Sequence, residues 1–314
     1  MAGIPNPVYL TGGTGFLGTH FRALLAEDDV AVTLLVRPGT AVTPRATESV
    51  VRGDVTDPET LSIAGHATCI HLAARTSVGG AIEAPETTWT TDATGTLNVL
   101  EAARRADVDQ FLYASTSSVY GKPEYLPIDE GHPVNPREPY GASKLAGDRL
   151  AYSYYHTYGL PVVVGRLFNT FGPGQPEHNV VPAIVSQAVD SKRVELGNLS
   201  PSRDFLYVAD TVRALRTLVT AGEPGEVYNV GSGEDVSIGA LADQVVKLLG
   251  GGIEVVSTTD RQRDSGVEIP RHVADASKLW DLGWTPDYPL DDGLSETIDS
   301  FRARSGSSVS IDDR

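Results

Sequence analysis

Residues 8–20, Val-Tyr-Leu-Thr-Gly-Gly-Thr-Gly-Phe-Leu-Gly-Thr-His, constrain this 314-residue chain more than any other stretch. A short apolar run, Val8 to Leu10, enters a loop carrying Gly12, Gly13, Gly15 and Gly18, and an amphipathic stretch from Phe16 to Leu25 leaves it. Strand, glycine-rich turn and helix in that order make a dinucleotide-binding fingerprint. Glycines permit the tight turn and let backbone N–H groups approach a pyrophosphate at the positive end of a helix. A glycine-rich turn with no ligand accounts for the same residues, so the rest of the chain has to decide.

Beyond the loop, apolar runs recur at Val30 to Val36, Ser49 to Arg52 (leading into Gly53-Asp54-Val55), Cys69 to Ala74, Phe111 to Ser115, Val162 to Leu167 and Glu226 to Val230. Thr91 to Ala106 reads as a helix, with Leu97, Leu100 and Ala103 on one face. Short strands alternating with helical stretches imply βαβ units, hence an α/β fold with a doubly wound parallel sheet of the Rossmann type. From about Phe171 the pattern loosens, and Pro173, Pro176, Pro182 and Pro201 interrupt shorter elements. Residues 1–170 are therefore expected to form the dinucleotide-binding domain, with segments near 203–232 rejoining it. Residues 171–304 are expected to form a smaller, interleaved lobe over the carboxyl ends of the strands, where ligands of such folds bind. Residues 305–314 read as a loose tail.

Composition narrows the partners. A formal charge of −16 argues against a nucleic-acid surface, which is usually basic. It also means that an anionic substrate must be met by a few local cations. No apolar run approaches the roughly 20 residues that span a bilayer. The N-terminus lacks a charged segment followed by a long apolar one, so neither a secretory signal nor a membrane anchor is expected. Cys69 is the only cysteine, which excludes an intrachain disulfide or a Cys-rich zinc site, and no metal is expected. A cytoplasmic protein fits these features.

The second chemical signal is Tyr140-Gly-Ala-Ser-Lys144. Residues four apart on a helix share a face. An ammonium beside a phenol favours the phenolate and lowers a pKa that is ordinarily about 10. Such a tyrosine can take a proton from an alcohol while hydride leaves the carbon. Tyr-x-x-x-Lys also arises by chance on exposed helices. Its company here is the glycine-rich turn and a hydroxyl-rich segment, Thr116-Ser117-Ser118, at the end of the fifth strand.

With these motifs in hand, the chain resembles the extended short-chain dehydrogenase/reductase family, within its nucleotide-sugar epimerase and dehydratase group. The resemblance rests on Thr-Gly-Gly-Thr-Gly-Phe-Leu-Gly (11–18), Gly-Asp-Val (53–55), His-Leu-Ala-Ala (71–74), Gly-Thr-Leu-Asn-Val-Leu-Glu-Ala (95–102), Ser-Thr-Ser-Ser-Val-Tyr-Gly (115–121) and Tyr-Gly-Ala-Ser-Lys (140–144). It continues through Gly-Arg-Leu-Phe-Asn-Thr-Phe-Gly-Pro-Gly-Gln (165–175), Arg-Asp-Phe-Leu-Tyr-Val-Ala-Asp (203–210), Tyr-Asn-Val-Gly (228–231), Ala-Asp-Ala-Ser-Lys (274–278) and Leu-Gly-Trp-Thr-Pro (282–286).

The resemblance implies an NAD(P)-dependent enzyme acting on a nucleotide diphosphate sugar through a transient 4-keto intermediate. It makes Tyr140 the acid/base, gives Lys144 the nicotinamide ribose, and has Thr116 hydrogen-bond the reacting hydroxyl. Gly12, Gly15, Phe16, Leu17 and Gly18 would line the pyrophosphate, Asp54 and Val55 the adenine, and Leu72, Ala73 and Ala74 the underside of the cofactor. Asn169, Asn179, Val180 and Arg203 match positions that hold the nucleotide diphosphate of the sugar, with Arg263 chosen as a second diphosphate arginine. For Arg203 a plain ion pair with Asp204 is the alternative. Homodimers are usual in the family, through helices that here include 92–106 and 140–157, and Tyr152, Tyr154, Tyr155 and Tyr158 could contribute.

Three departures from the family bear on the reaction. Dehydratases carry Asp-Glu after the threonine, whereas Ser117 and Ser118 stand here, beside the sugar. A hydroxyl cannot remove a carbon-bound proton unaided, which favours 4-epimerisation. Glu124 or Asp92 could stand in as a carboxylate, which keeps elimination as the alternative; the plainer readings are a solvated loop acid and a helix-end acid. Asp92 also stands where relatives commonly carry Asn. Finally, the end of the second strand offers Val36 and Arg37 rather than an acid for the adenine-ribose 2′-hydroxyl. NAD is expected, and Arg37 leaves NADP open. A net reductase, or a dinucleotide-binding module without chemistry, would be further readings; the latter would be expected to have lost Tyr140 or Lys144.

Overall fold

The computed structural model describes residues 3–258 and 269–308. Its main sheet contains β1 (Val8–Thr11), β2 (Val32–Val36), β3 (Glu48–Arg52), β4 (Thr68–His71), β5 (Gln110–Thr116), β6 (Val162–Leu167) and β7 (Val227–Val230). They lie in the order β7-β6-β5-β4-β1-β2-β3, and every neighbouring pair is parallel. A parallel sheet is covered on both faces, so its central strands are apolar throughout rather than alternating. Accordingly every residue of β1, β4 and β5 is buried.

One face is covered by α1 (Phe16–Glu27) and a later helix, Val208–Ala221, whose Phe21, Leu25, Leu215 and Leu218 are fully buried against Val8, Leu10 and Leu34. The other is covered by α2 (Gly95–Ala106) and α3 (Pro139–Tyr158), which bury Val99, Leu100, Ala103 and Ala151 against Phe111 and Val162. The helix α3 lies close to β5 at Gly147, where a Cβ would sit 2.0 Å from the Tyr113 hydroxyl.

The chain order reverses at β1 and β4, which opens a crevice at the carboxyl ends of the strands. A second apolar cluster stands over this crevice, built from the helices Val180–Asp190, Ile238–Leu248 and Leu290–Ser308. No helix among the described residues is long and apolar enough to cross a membrane.

Two expectations need correction. The single helix from Thr91 is instead a π-helical turn, Thr90–Thr94, leading into α2; the β-branched Thr90, Thr91 and Thr94 and the buried Asp92 go with the wider turn. The last helix runs on to Ser308, past the point where a loose tail was expected. Nothing from Arg304 to Ser308 is a proline, and propagating a helix adds a hydrogen bond per residue fixed.

Candidate active site

One cleft of about 1330 Å³ collects the residues singled out in the sequence. Gly12, Gly15, Phe16, Leu17 and Gly18 from the first turn line it, as do Arg37 after β2, Asp54 and Val55 after β3, and Leu72, Ala73 and Ala74 after β4. Thr116, Ser117 and Ser118 contribute from the end of β5, Tyr140 and Lys144 from α3, and Asn169, Asn179, Val180 and Arg203 from the opposite wall. Arg263 lies outside the described residues.

The glycine loop is shaped by steric need. At Gly12 (φ +73°) a Cβ would lie 2.6 Å from the Ala73 amide nitrogen, and at Gly18 it would lie 2.2 Å from the Gly12 carbonyl oxygen. Gly18→Ala therefore forces backbone apart, an overpacking worth about 1–3 kcal/mol. Chemical denaturation should show that loss, and an unchanged midpoint would mean that the loop yields freely. The helix α1 begins at Gly15 with no side-chain cap and no acid in its first turn. Its leading N–H groups thus face the cleft at the positive end of the helix dipole.

A buried relay ties this loop to the sugar end. The Thr96 hydroxyl donates to the Asp92 carbonyl (2.5 Å), so it accepts from His71 Nε2 (3.0 Å). This leaves His71 Nδ1 as the acceptor for the Thr11 hydroxyl at 2.6 Å. Burial, helped by the Lys144 charge, pushes the His71 pKa down to about 3, so the imidazole is neutral.

At the centre, the Thr116 hydroxyl hydrogen-bonds Tyr140 and draws its pKa down. Burial outweighs this, and with Asp92 and Glu138 nearby it holds the phenol above the ordinary tyrosine value. The lysine effect expected at Tyr140 is not what shapes it. Lys144 Nζ instead lies 4.3 Å from the centre of the Tyr113 ring. Burial lowers the Lys144 pKa to about 8, against the pull of Asp92 and Asp148.

Ser117 is buried and Ser118 half-buried on the short turn after Thr116. The carboxylates lining the cleft, among the described residues, are Asp54, Glu86 and Glu138. Asp54 accepts from Thr56 at the far end, and Glu86 is exposed. Glu138 caps α3, taking the Tyr140 and Gly141 amides at 2.7 Å each. Glu124 is exposed and does not line the cleft. Asp92 is no helix-end acid: it is fully buried, and its Oδ1 accepts the Arg75 amide at 2.8 Å.

Arg203 and Asp204 do not form the simple pair considered above. Successive strand residues point to opposite sides, and Asp204 is buried among the Ser232, Gly233 and Ala274 amides and the Ser232 hydroxyl. Arg37 is exposed beyond the buried Val36.

Sequence reasoning missed His272. It is 4 % exposed, stands beside Arg203 in a two-residue strand, lines the cleft, and its Nε2 is a buried atom without a hydrogen-bond partner among the described residues. No periodicity marks so short a strand; only the strand pairing reveals it.

Comparison with known proteins gives the family. Residues 10–297 match the family model described as GDP-mannose 4,6 dehydratase. A dTDP-glucose 4,6-dehydratase of Streptomyces niveus is 35% identical over 94% of this chain and 92% of its own. The UDP-glucose 4-epimerase of Thermus thermophilus, solved in complex with NAD, superposes with a TM-score of 0.86 at 29% identity, covering 94% of this chain and 98% of that one. A dTDP-glucose 4,6-dehydratase from Streptomyces venezuelae with NAD bound gives 0.84 at 29% identity over 96% and 98%. The chain belongs to the GDP-mannose 4,6 dehydratase family, in the nucleotide-sugar epimerase and dehydratase group of the extended short-chain dehydrogenases/reductases.

Proposed function

We propose that the protein is an NAD-dependent 4-epimerase of a nucleotide diphosphate hexose. The observation that carries the choice is the pair Ser117 and Ser118 beside Thr116, with Glu138, the nearby carboxylate, committed to capping α3. Elimination of water requires a group that removes a carbon-bound proton, and a serine hydroxyl does not do so unaided.

The site fits a dinucleotide. The uncapped start of α1 and the glycines closing on Leu72 and Ala73 leave backbone N–H groups turned to the cleft, which suits a pyrophosphate. The cleft volume exceeds that of a drug-sized pocket, roughly 300–1,000 Å³, as two nucleotide ligands require. When bound in its oxidised form, the nicotinamide supplies the hydride acceptor and a positive charge. Tyr140 takes the C4 hydroxyl proton and later returns it, Thr116 orients that hydroxyl, and Lys144 holds the nicotinamide ribose. Asn169, Asn179, Val180 and Arg203 hold the diphosphate, where a guanidinium offers paired donors. Arg263 is proposed as the second diphosphate arginine, and His272 Nε2 as a hydrogen-bonding partner for the sugar. Arg37 favours the adenine face of NAD and would equally admit a 2′-phosphate.

We further propose a cytoplasmic homodimer, paired through the face of α2 and α3. Leu97, Tyr152 and Tyr158 are exposed on these helices and Trp89 is exposed just before them, while Tyr154 turns inward to Glu101.

Incubation with UDP-, dTDP- and GDP-hexoses in deuterated solvent, read by NMR, tests the reading. The expected product is the C4 epimer with no deuterium on carbon. Deuterium at carbon with loss of a hydroxyl would make the protein a dehydratase, the activity of the 35%-identical relative. Net consumption of added NADPH would make it a reductase. No conversion of any sugar by cofactor-loaded protein would overturn the enzymatic reading.

A further inference from the structure

We infer that Asp92 is a positioning residue for Lys144: its fully buried carboxylate is the counter-charge that keeps the lysine ammonium in the wall of the cleft. This rests on the proposed role of Lys144 and adds a residue that acts through it.

The geometry is specific. Asp92 sits in the π-helical turn Thr90–Thr94, packed against α3. Its Oδ1 accepts the Arg75 amide at 2.8 Å from the loop after β4, and its Oδ2 faces Ser143 Oγ at 3.4 Å, one residue from Lys144. The backbone of Asp92 is held too, since its carbonyl takes the Thr96 hydroxyl that the His71 relay orients. Lys144 is 2 % exposed. An ammonium removed from water in this way needs compensation, and opposite charge in a low-dielectric setting acts strongly over a few ångströms.

The groups facing the pair can be enumerated. The Lys144 ammonium lies over the Tyr113 ring of β5. It feels the charges of Asp92 in the π-turn and Asp148 on its own helix through space, with no direct ion pair to either among the described residues, while the neutral His71 of β4 stands nearby. Asp92 meets Lys144 and Ser143 from α3 and Arg75 from the loop; the Tyr140 and Tyr113 phenols lie within its field. Burial raises the carboxyl above the ordinary aspartate value, and Lys144 is the largest influence drawing it back. In turn Asp92 is the first influence that raises Lys144 against burial. The two charges support each other, so the carboxylate extends the alkaline range over which Lys144 stays cationic.

The sign follows. Removing the negative charge removes support for the ammonium, so Lys144 deprotonates at lower pH than the value of about 8 it has with Asp92 in place. Asp92→Asn suits the test, because it keeps the size and an oxygen for the Arg75 amide. The first readout is NMR titration of the lysine side-chain signals in cofactor-free protein, with Lys144 assigned by Lys144→Arg. The midpoint is expected to fall by about one pH unit in Asp92→Asn and to stay in place in Ser143→Ala, which keeps the charge. An equal midpoint in Asp92→Asn and the unsubstituted protein would overturn the inference, whatever sugar is turned over. The second readout is NAD affinity by calorimetry across pH 6–10 (about the range in which lysine titrates here). Its alkaline limb should move down with the Lys144 midpoint, with similar affinity on the neutral plateau. Parallel limbs, or an equal loss at every pH, would reduce Asp92 to a structural residue.

Discussion

Tyr140→Phe is expected to lower turnover of the nucleotide sugar by about 10²–10⁴-fold while leaving cofactor affinity close to that of the unsubstituted protein. The substitution removes one hydroxyl from a side chain that is 8 % exposed, so the ring keeps its packing and the fold should persist. What is lost is the only atom of the residue that can exchange a proton with the C4 hydroxyl. Burial, Asp92 and Glu138 together hold the phenol protonated across the physiological range in the cofactor-free protein. The free site is therefore set up with a proton to give. In the proposed reaction, the positive charge of an oxidised cofactor would favour the phenolate and so couple proton removal to cofactor occupancy. Pre-steady-state absorbance of the reduced nicotinamide, alongside calorimetry for binding, separates the two effects. Turnover within a fewfold of the unsubstituted protein would remove Tyr140 from the role of acid/base.

The parts of this site legible in the sequence are those whose chemistry and spacing are local. A strand, four glycines and a helix within residues 8–20 can hardly be arranged otherwise, and the structure places Gly12, Gly15, Phe16, Leu17 and Gly18 in the wall of the cleft. The spacing of Tyr140 and Lys144 fixes a shared helix face in the same way. What could not be read depends on partners far along the chain. The ring under Lys144 belongs to Tyr113, a residue 31 positions earlier, and the expected lysine effect on Tyr140 gives way to that placement. Asp92 looked like an acid at a helix end because a continuous helix would have put it there. The π-turn rotates it inward, where the Arg75 amide and Ser143 meet it. His272 depends on a strand pairing that no sequence period announces.

The same distance problem hides what holds α3 in place, and it yields the largest expected effect on stability. Arg166 in β6 and Asp148 in α3 are each 4 % exposed, with Nε and Oδ2 2.8 Å apart. The guanidinium also donates to the Tyr120 hydroxyl at 3.0 Å, and that hydroxyl donates to Asn229 Oδ1 at 2.7 Å. One buried network thus joins α3, the turn after β5, β6 and β7. A buried pair contributes little net stability when desolvation is counted, yet removing one partner strands the other charge away from water. Asp148→Ala is expected to destabilise the protein by about 3–5 kcal/mol for that reason. Urea unfolding should show it, and Asp148→Leu combined with Arg166→Met should lose much less, because no charge is then stranded. A single variant within about 1 kcal/mol of the unsubstituted protein would mean that water reaches Arg166 and that the network is not closed, since an ion pair open to solvent is worth about that much or less. The consequence also reaches chemistry. Asp148 lies one helical turn beyond Lys144 and supports its charge, so Asp148→Ala should also narrow the alkaline range of cofactor binding. The double variant should restore stability without restoring that range, because it rebuilds the packing and leaves Lys144 with Asp92 alone.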